Sequence, residues 1–167
     1  MQSHTTDSPT FACLKLSDAL LTNLKRLGFT EPTPIQTQAI PPVIEGCDLI
    51  GIAQTGTGKT FAFGLPMLDR LLNTNEVGLI LAPTRELAIQ IDEELKKLAS
   101  SLGLKTAVLI GGAPMHKQVQ DLRRRPNIII ATPGRLKDHM ATRDDSAAAR
   151  FWVRWRSVAP RLRGLRC

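Results

Sequence analysis

No stretch of eighteen or more apolar residues occurs in the sequence, so no helix long and apolar enough to cross a bilayer is expected. The opening residues, Met1-Gln2-Ser3-His4-Thr5-Thr6-Asp7, are polar and lack the apolar core of a secretory leader. Cysteine is scarce. Cys13, Cys47 and Cys167 are scattered, odd in number and without metal-ligand spacing. That argues against a disulfide framework or a cysteine-held zinc, and fits reduced thiols in an intracellular protein. Histidine offers no metal set either, because His4, His116 and His139 stand alone. Internal repeats and low-complexity segments are missing. What remains is a chain of 167 residues, 43% of them hydrophobic, which suits one domain with a buried core.

The net charge of +7 is unevenly spread. Residues 141–167 hold seven Arg against two Asp, so the rest of the chain is nearly balanced. Overall charge therefore identifies no partner, and a nucleic-acid role has to rest on particular residues.

The most informative stretch is Ala53-Gln54-Thr55-Gly56-Thr57-Gly58-Lys59-Thr60. It fits the phosphate-binding loop pattern, with Ala53 where a glycine usually stands. Gly56 and Gly58 can take positive φ and let the backbone close on an anion. Lys59 supplies a cation for the outer phosphates and Thr60 a hydroxyl for Mg²⁺. A helix starting here points its positive end at the same place. Asp48-Leu49-Ile50-Gly51-Ile52 before the loop is expected as a buried strand, and the apolar run from Phe61 to Leu68 after it as a helix. Strand, loop and helix together are the setting this loop requires; a plain Gly/Thr turn is the alternative.

In chain order, Ser17 is expected to cap a helix carrying Leu20, Leu21, Leu24 and Leu27, stopped by Gly28. Thr33 and Pro34 are expected to open a second helix, running toward Glu45 and perturbed by Pro41-Pro42. Beyond the loop, strands are expected at Val77–Ala82, Thr106–Ile110 and Asn127–Ala131. Helices are expected from Glu86 to about Leu102, from Met115 to Arg124 and from Gly134 to Met140. The strands are unbroken apolar runs, as parallel strands covered on both faces are. The expected class is α/β, a mostly parallel sheet with helices on both faces. Arg123-Arg124-Arg125 closes a helix, where cations suit its dipole.

From Phe11 to Met140 the chain resembles the first RecA-like P-loop NTPase domain of DEAD-box ATP-dependent RNA helicases. Five segments in order carry the likeness. They are Gly28 through Gln36 with the upstream Phe11; Ala53 through Thr60; Pro83-Thr84-Arg85-Glu86-Leu87-Ala88; Gly111-Gly112; and Thr132-Pro133-Gly134-Arg135. The resemblance implies ATP with Mg²⁺ as cofactors. Gln36 would read adenine, since a planar amide offers one donor and one acceptor to N6 and N7. Phe11 would stack on the base, with Phe29 beside it. Lys59 and Thr60 would serve catalysis, and Thr60 the metal. Single-stranded RNA would be held by its backbone at Pro83, Thr84, Arg85, Gly111, Gly112, Thr132, Pro133, Gly134 and Arg135. A cytoplasmic monomer completed by a second RecA-like domain is expected. For Gln36 alone a solvated helix residue is the alternative, for Phe11 a core contact, and for Arg85 and Arg135 ordinary surface ion pairs.

The family's Asp-Glu-Ala-Asp and Ser-Ala-Thr motifs do not occur in this sequence. In the family, that first motif holds Mg²⁺ and orients the attacking water. RecA-like strands that carry the missing motifs lie in the middle of the sheet, so the domain is expected to be incomplete. The expected layout is a disordered 1–10, a partial RecA-like domain over 11–140, and an atypical arginine-rich tail over 141–167. Lysine vanishes from the tail and both tryptophans, Trp152 and Trp155, fall in it. We expect the tail to come from a shifted reading frame or a splice or deletion junction; a tail that binds RNA through charge and Trp stacking is the alternative. For the chain as a whole, the functional alternatives are a nucleotide-binding fragment without chemistry, a non-functional product that aggregates through strand edges, and, less in keeping with Gln36 and Thr132–Arg135, a small kinase or GTPase.

Overall fold

In the computed structural model, which describes residues 10–141, the chain divides into the units Met1–Asn73 and Thr74–Cys167. The expected disordered start lies outside the described residues except for Thr10, and the expected arginine-rich tail except for Ala141.

In the first unit a short 3₁₀ turn, Phe11–Leu14, leads into α1, Asp18–Arg26. Ser17 is the residue before α1, and its N–H donates to the Asp69 carboxylate at 2.9 Å, which ties the chain's start to α3, Lys59–Asn73. Leu20 and Leu24, one turn apart, are fully buried. Gly28 ends the segment at φ +81, a conformation that L side chains rarely adopt. Helix α2 is Pro34–Ile44, with Pro at its first position, where the missing N–H costs nothing. Pro41 and Pro42 lie inside α2, which still runs to Ile44. Helices α2 and α3 pack closely together.

One expectation fails in this unit. Residues 48–52 form no strand, and Ile50 and Ile52 are each 93% exposed. A buried strand must have both rows of backbone N–H and C=O groups paired by neighbours. Among the described residues no strand pairs with 48–52, and two isoleucines forgo about 1.5–3 kcal/mol of burial each.

The second unit holds a three-stranded parallel sheet, β1 (Gly78–Leu81), β2 (Thr106–Leu109) and β3 (Ile128–Ala131), in the order β1-β3-β2. Leu81 and Leu109 are both in register with Ala131, so the strands end side by side. All four residues of β3 are fully buried, as an apolar run covered on both faces requires. The outer strands differ: β2 alternates buried and half-buried positions, and Leu81 at the end of β1 is 54% exposed. Helix α4, Arg85–Ala99, packs on β2 and β3. Helices α5, Met115–Arg123, and α6, Pro133–Ala141, contribute Leu122 and Leu136 to a core with Ile129 and Ala131. By the two-residue period of a strand, Ile128 and Ile130 face the other way. Helix α6 starts one residue earlier than expected, because Pro133 suits a first helical position.

Candidate functional site

The phosphate-loop residues are at the start of α3. Gly56 and Gly58 adopt φ +80 and +83, the left-handed region where a Cβ is strained. Gly58 has a second reason to lack a side chain. A Cβ there would come within 2.5 Å of Gln36 Nε2 and 3.3 Å of Thr33 Oγ1. Thr57 Oγ1 donates to the Gln54 carbonyl at 2.8 Å and pins the turn. The Lys59 ammonium reaches back over the loop and donates to the carbonyls of Ala53 and, at 3.0 Å, Gln54. The first N–H groups of α3 have no intrahelical acceptors, because a helix's first turn never does. A loop with two left-handed glycines, a helix N-terminus, an ammonium and the Thr60 hydroxyl is a donor set that fits a triphosphate with its Mg²⁺.

Gln36 departs from the bland alternative of a solvated helix residue. It is 3% exposed. Its Nε2 donates to the Gly58 carbonyl at 3.1 Å, and its Oε1 accepts the Thr33 N–H at 3.0 Å. One buried amide thus ties the start of α2 to the phosphate loop. These bonds use one of its two N–H groups and one of its two lone pairs. Phe29 meets Phe61 edge-to-face, with ring centroids 5.0 Å apart, so the other half of the segment is also anchored on α3. Phe11, expected over an adenine ring, is 4% exposed and buried with Leu14. Its ring is packed in the core of this structure.

In the second unit, the remaining three motifs all follow the C-terminal ends of strands. Thr84 caps α4, accepting from the Leu87 N–H at 3.3 Å. Arg85, just after it, lays its guanidinium on Gly112. A Cβ at Gly112 would sit 2.5–2.8 Å from Nη1, Cζ and Nη2, and its φ is +75. Arg135 Nη1 donates to the Ala113 carbonyl at 3.0 Å, and Nε stands 3.5 Å from the Asp138 carboxylate. The two arginines therefore gather on the neighbouring residues Gly112 and Ala113. A methyl group at Gly111 or Gly134 would meet nothing within 4 Å, so both glycines leave open surface. Pro83, Thr84 and Arg85 are exposed, Pro133 and Gly134 also, and Thr132 is half-buried. With α4 and α6 both starting here, two helix N-termini face the same sheet edge. That is the edge where open parallel sheets take ligands.

Two residues near this edge were given no role from the sequence: Gln118 was not singled out, and His139 stood alone. Gln118 and His139 are buried, at 3% and 1% exposure, and joined by a 3.1 Å hydrogen bond between Gln118 Oε1 and His139 Nε2. The signal was a polar side chain on an apolar stripe. Gln118 precedes the buried Leu122 by one turn, and His139 follows the buried Leu136 by about one. Among the described residues no group of three His, Cys, Asp or Glu could hold a metal. No helix among them is long and apolar enough to cross a membrane.

Comparison with known proteins agrees with this geometry. The profile of the DEAD/DEAH box helicase family matches residues 33–154, ending inside the arginine-rich segment. The ATP-dependent rRNA helicase RRP3 of Scheffersomyces stipitis is 52% identical over 133 residues, which cover 78% of this chain and 28% of that protein. The ATP-dependent RNA helicase CshA of Limosilactobacillus reuteri is 51% identical over 132 residues, covering 78% and 27%. Among solved structures, a DEAD box protein from Methanococcus jannaschii superposes with a TM-score of 0.71 at 37% identity, covering 78% of this chain and 36% of that one. The chain thus spans about a quarter to a third of the proteins it matches. A family match over well more than half of the sequence, whose range includes the loop and edge residues just described, shows that the chain belongs to the DEAD/DEAH box helicase family.

Proposed function

We propose that this chain is the ATP- and RNA-binding part of an ATP-dependent RNA helicase, with MgATP on the first unit and single-stranded RNA on the second. The observation that carries the nucleotide half is the buried Gln36 amide, bonded to both the α2 start and the phosphate loop. Its spare N–H and lone pair meet adenine N7 and N6. Guanine presents an acceptor in place of the N6 donor, so ATP is preferred to GTP. Lys59 leaves the loop carbonyls for the outer phosphates, and Thr60 offers its hydroxyl to Mg²⁺. Mg²⁺ held there would neutralise charge on the phosphate oxygens. Phe11 supports the pocket from the core. The RNA half is supported by Arg85, Arg135, two helix N-termini and the open surface at Gly111 and Gly134. Such an edge grips phosphates and sugars with little regard for base sequence. The activity proposed for these residues is binding of nucleotide and RNA; the full enzyme would couple ATP hydrolysis to duplex unwinding, with a second RecA-like domain.

The test is calorimetric titration of the 167-residue chain with MgATP and MgGTP. ATP uptake that Lys59→Ala removes, and ATP preference that Gln36→Ala removes, support the reading. Equal loss of both nucleotides on Gln36→Ala counts against the adenine role. A second reading is favoured by the exposure of Ile50 and Ile52: the chain self-associates through this segment. Sedimentation separates the two, because a monomer with a cooperative melt rules out the second.

A further inference from the structure

The Gly111-Gly112 turn is held from beneath by an arrangement that no residue of the five motifs supplies. Gln118 Nε2 donates to the Ile110 carbonyl at 2.9 Å and to the Ala113 carbonyl at 3.3 Å. These are the residues on either side of the glycine doublet. Both N–H groups of the amide are thereby used, and this settles which way the side chain faces. A flipped amide would set Oε1 against two carbonyl oxygens, so Oε1 faces His139. Since Oε1 can only accept, His139 Nε2 carries a proton and donates across the 3.1 Å contact. The Ala113 carbonyl also accepts from Arg135 Nη1 at 3.0 Å. The chain of bonds runs from His139 on α6, through Gln118 on α5, to the turn and back to Arg135 on α6. Arg85 rests on Gly112 in the same turn.

We propose that Gln118 and His139 form a buried clamp that positions the Gly111-Gly112 turn and, through the Ala113 carbonyl, Arg135, so that the edge meets the phosphates of RNA in one fixed geometry. This rests on the RNA-binding reading above. Neither residue touches the RNA; both are positioning residues. The clamp suits a turn that must be glycine-rich to lie open. Gly111 and Gly134 have no side chains with which to hold themselves, and Gly112 is in the left-handed region. Hydrogen bonds from below therefore keep the turn ordered.

The test uses the full 167-residue chain and two readouts. The first needs no RNA. Nitrogen-15 NMR of His139 should show the Nε2–H tautomer in the neutral ring, and slowly exchanging Gln118 side-chain amide protons. Gln118→Glu, nearly isosteric, puts an acceptor against two carbonyls and should broaden or shift the Gly111, Gly112 and Ala113 amides while the β3 amides stay in place. The second readout is the affinity for a single-stranded oligoribonucleotide across a salt series. Gln118→Glu and His139→Leu should each weaken binding about tenfold. The slope of log K against log salt should also flatten, by about 0.7 for each phosphate that the edge no longer neutralises. A merely less stable protein would have fewer binding-competent molecules without a change in that slope. His139→Gln, which keeps a donor, should restore most of the slope. With Arg135→Ala already present, Gln118→Glu should change the slope little further. Unmoved turn amides in Gln118→Glu, or an unchanged slope in a folded variant, would overturn the clamp. A parent chain that takes up no RNA while its turn amides respond to Gln118→Glu would overturn the RNA reading and leave the clamp's positioning of the turn established.

Discussion

The two units differ in what their apolar segments pair with. In the first, the segment before the phosphate loop is irregular and its isoleucines face solvent, although the loop itself closes around Lys59. In the second, three strands pair in parallel and β3 is wholly buried. The loop's shape is held without sheet partners, by two left-handed glycines, a helix start and the Gln36 amide from α2. A strand has no local means of satisfying its backbone. It needs neighbours, and among the described residues 48–52 has no sheet partner. Anion-binding geometry can thus outlast the strand that normally presents it, whereas a parallel sheet persists only where three strands lie together.

The contrast can be broken or sharpened by substitution. The largest effect is expected in the second unit, where Ile130→Ala removes a fully buried side chain from the central strand and should cost about 2–5 kcal/mol in a urea melt. Next is Lys59→Ala in the first unit. Without a charge-assisted hydrogen bond worth about 1.5–3 kcal/mol, MgATP binding should weaken at least tenfold in calorimetry, with RNA affinity kept. Gly112→Ala comes third. Strain at φ +75 and the clash with Arg85 should cost about 1–2 kcal/mol, seen as weaker RNA binding with ATP affinity unchanged. The smallest effect is expected from Ile50→Ser with Ile52→Ser. Exposed positions change stability by within about 0.5 kcal/mol, so the melt should hardly move. A large destabilisation there would mean that the segment is buried in solution, and the contrast between the units would disappear.

Much of this was legible beforehand because it depends on short-range chemistry. Thr33-Pro34, Thr84 and Gly28 mark helix ends through caps and backbone preference, and the structure follows them to within a residue or two. The three strands of the second unit were legible as apolar runs. The strand at 48–52 misled because an apolar run reports what a segment would bury, and is silent on whether anything is there to bury it against. At the candidate sites, Gly56, Gly58 and Lys59 could be named from spacing, and Gly111, Gly112, Gly134, Arg85 and Arg135 only from the family resemblance. Gln118 and His139 could not be paired, because a buried hydrogen bond between α5 and α6 joins residues 21 apart that share no motif. His139 seemed isolated only because its partner is a neutral amide, not another metal ligand.

Titration of the 167-residue chain with ATP in saturating Mg²⁺ tests the central claim most directly, with Lys59→Ala as the control. The account predicts saturable uptake of one nucleotide per chain, at least tenfold weaker in the variant while its thermal melt is unchanged. Heat no greater for the parent than for Lys59→Ala would contradict it.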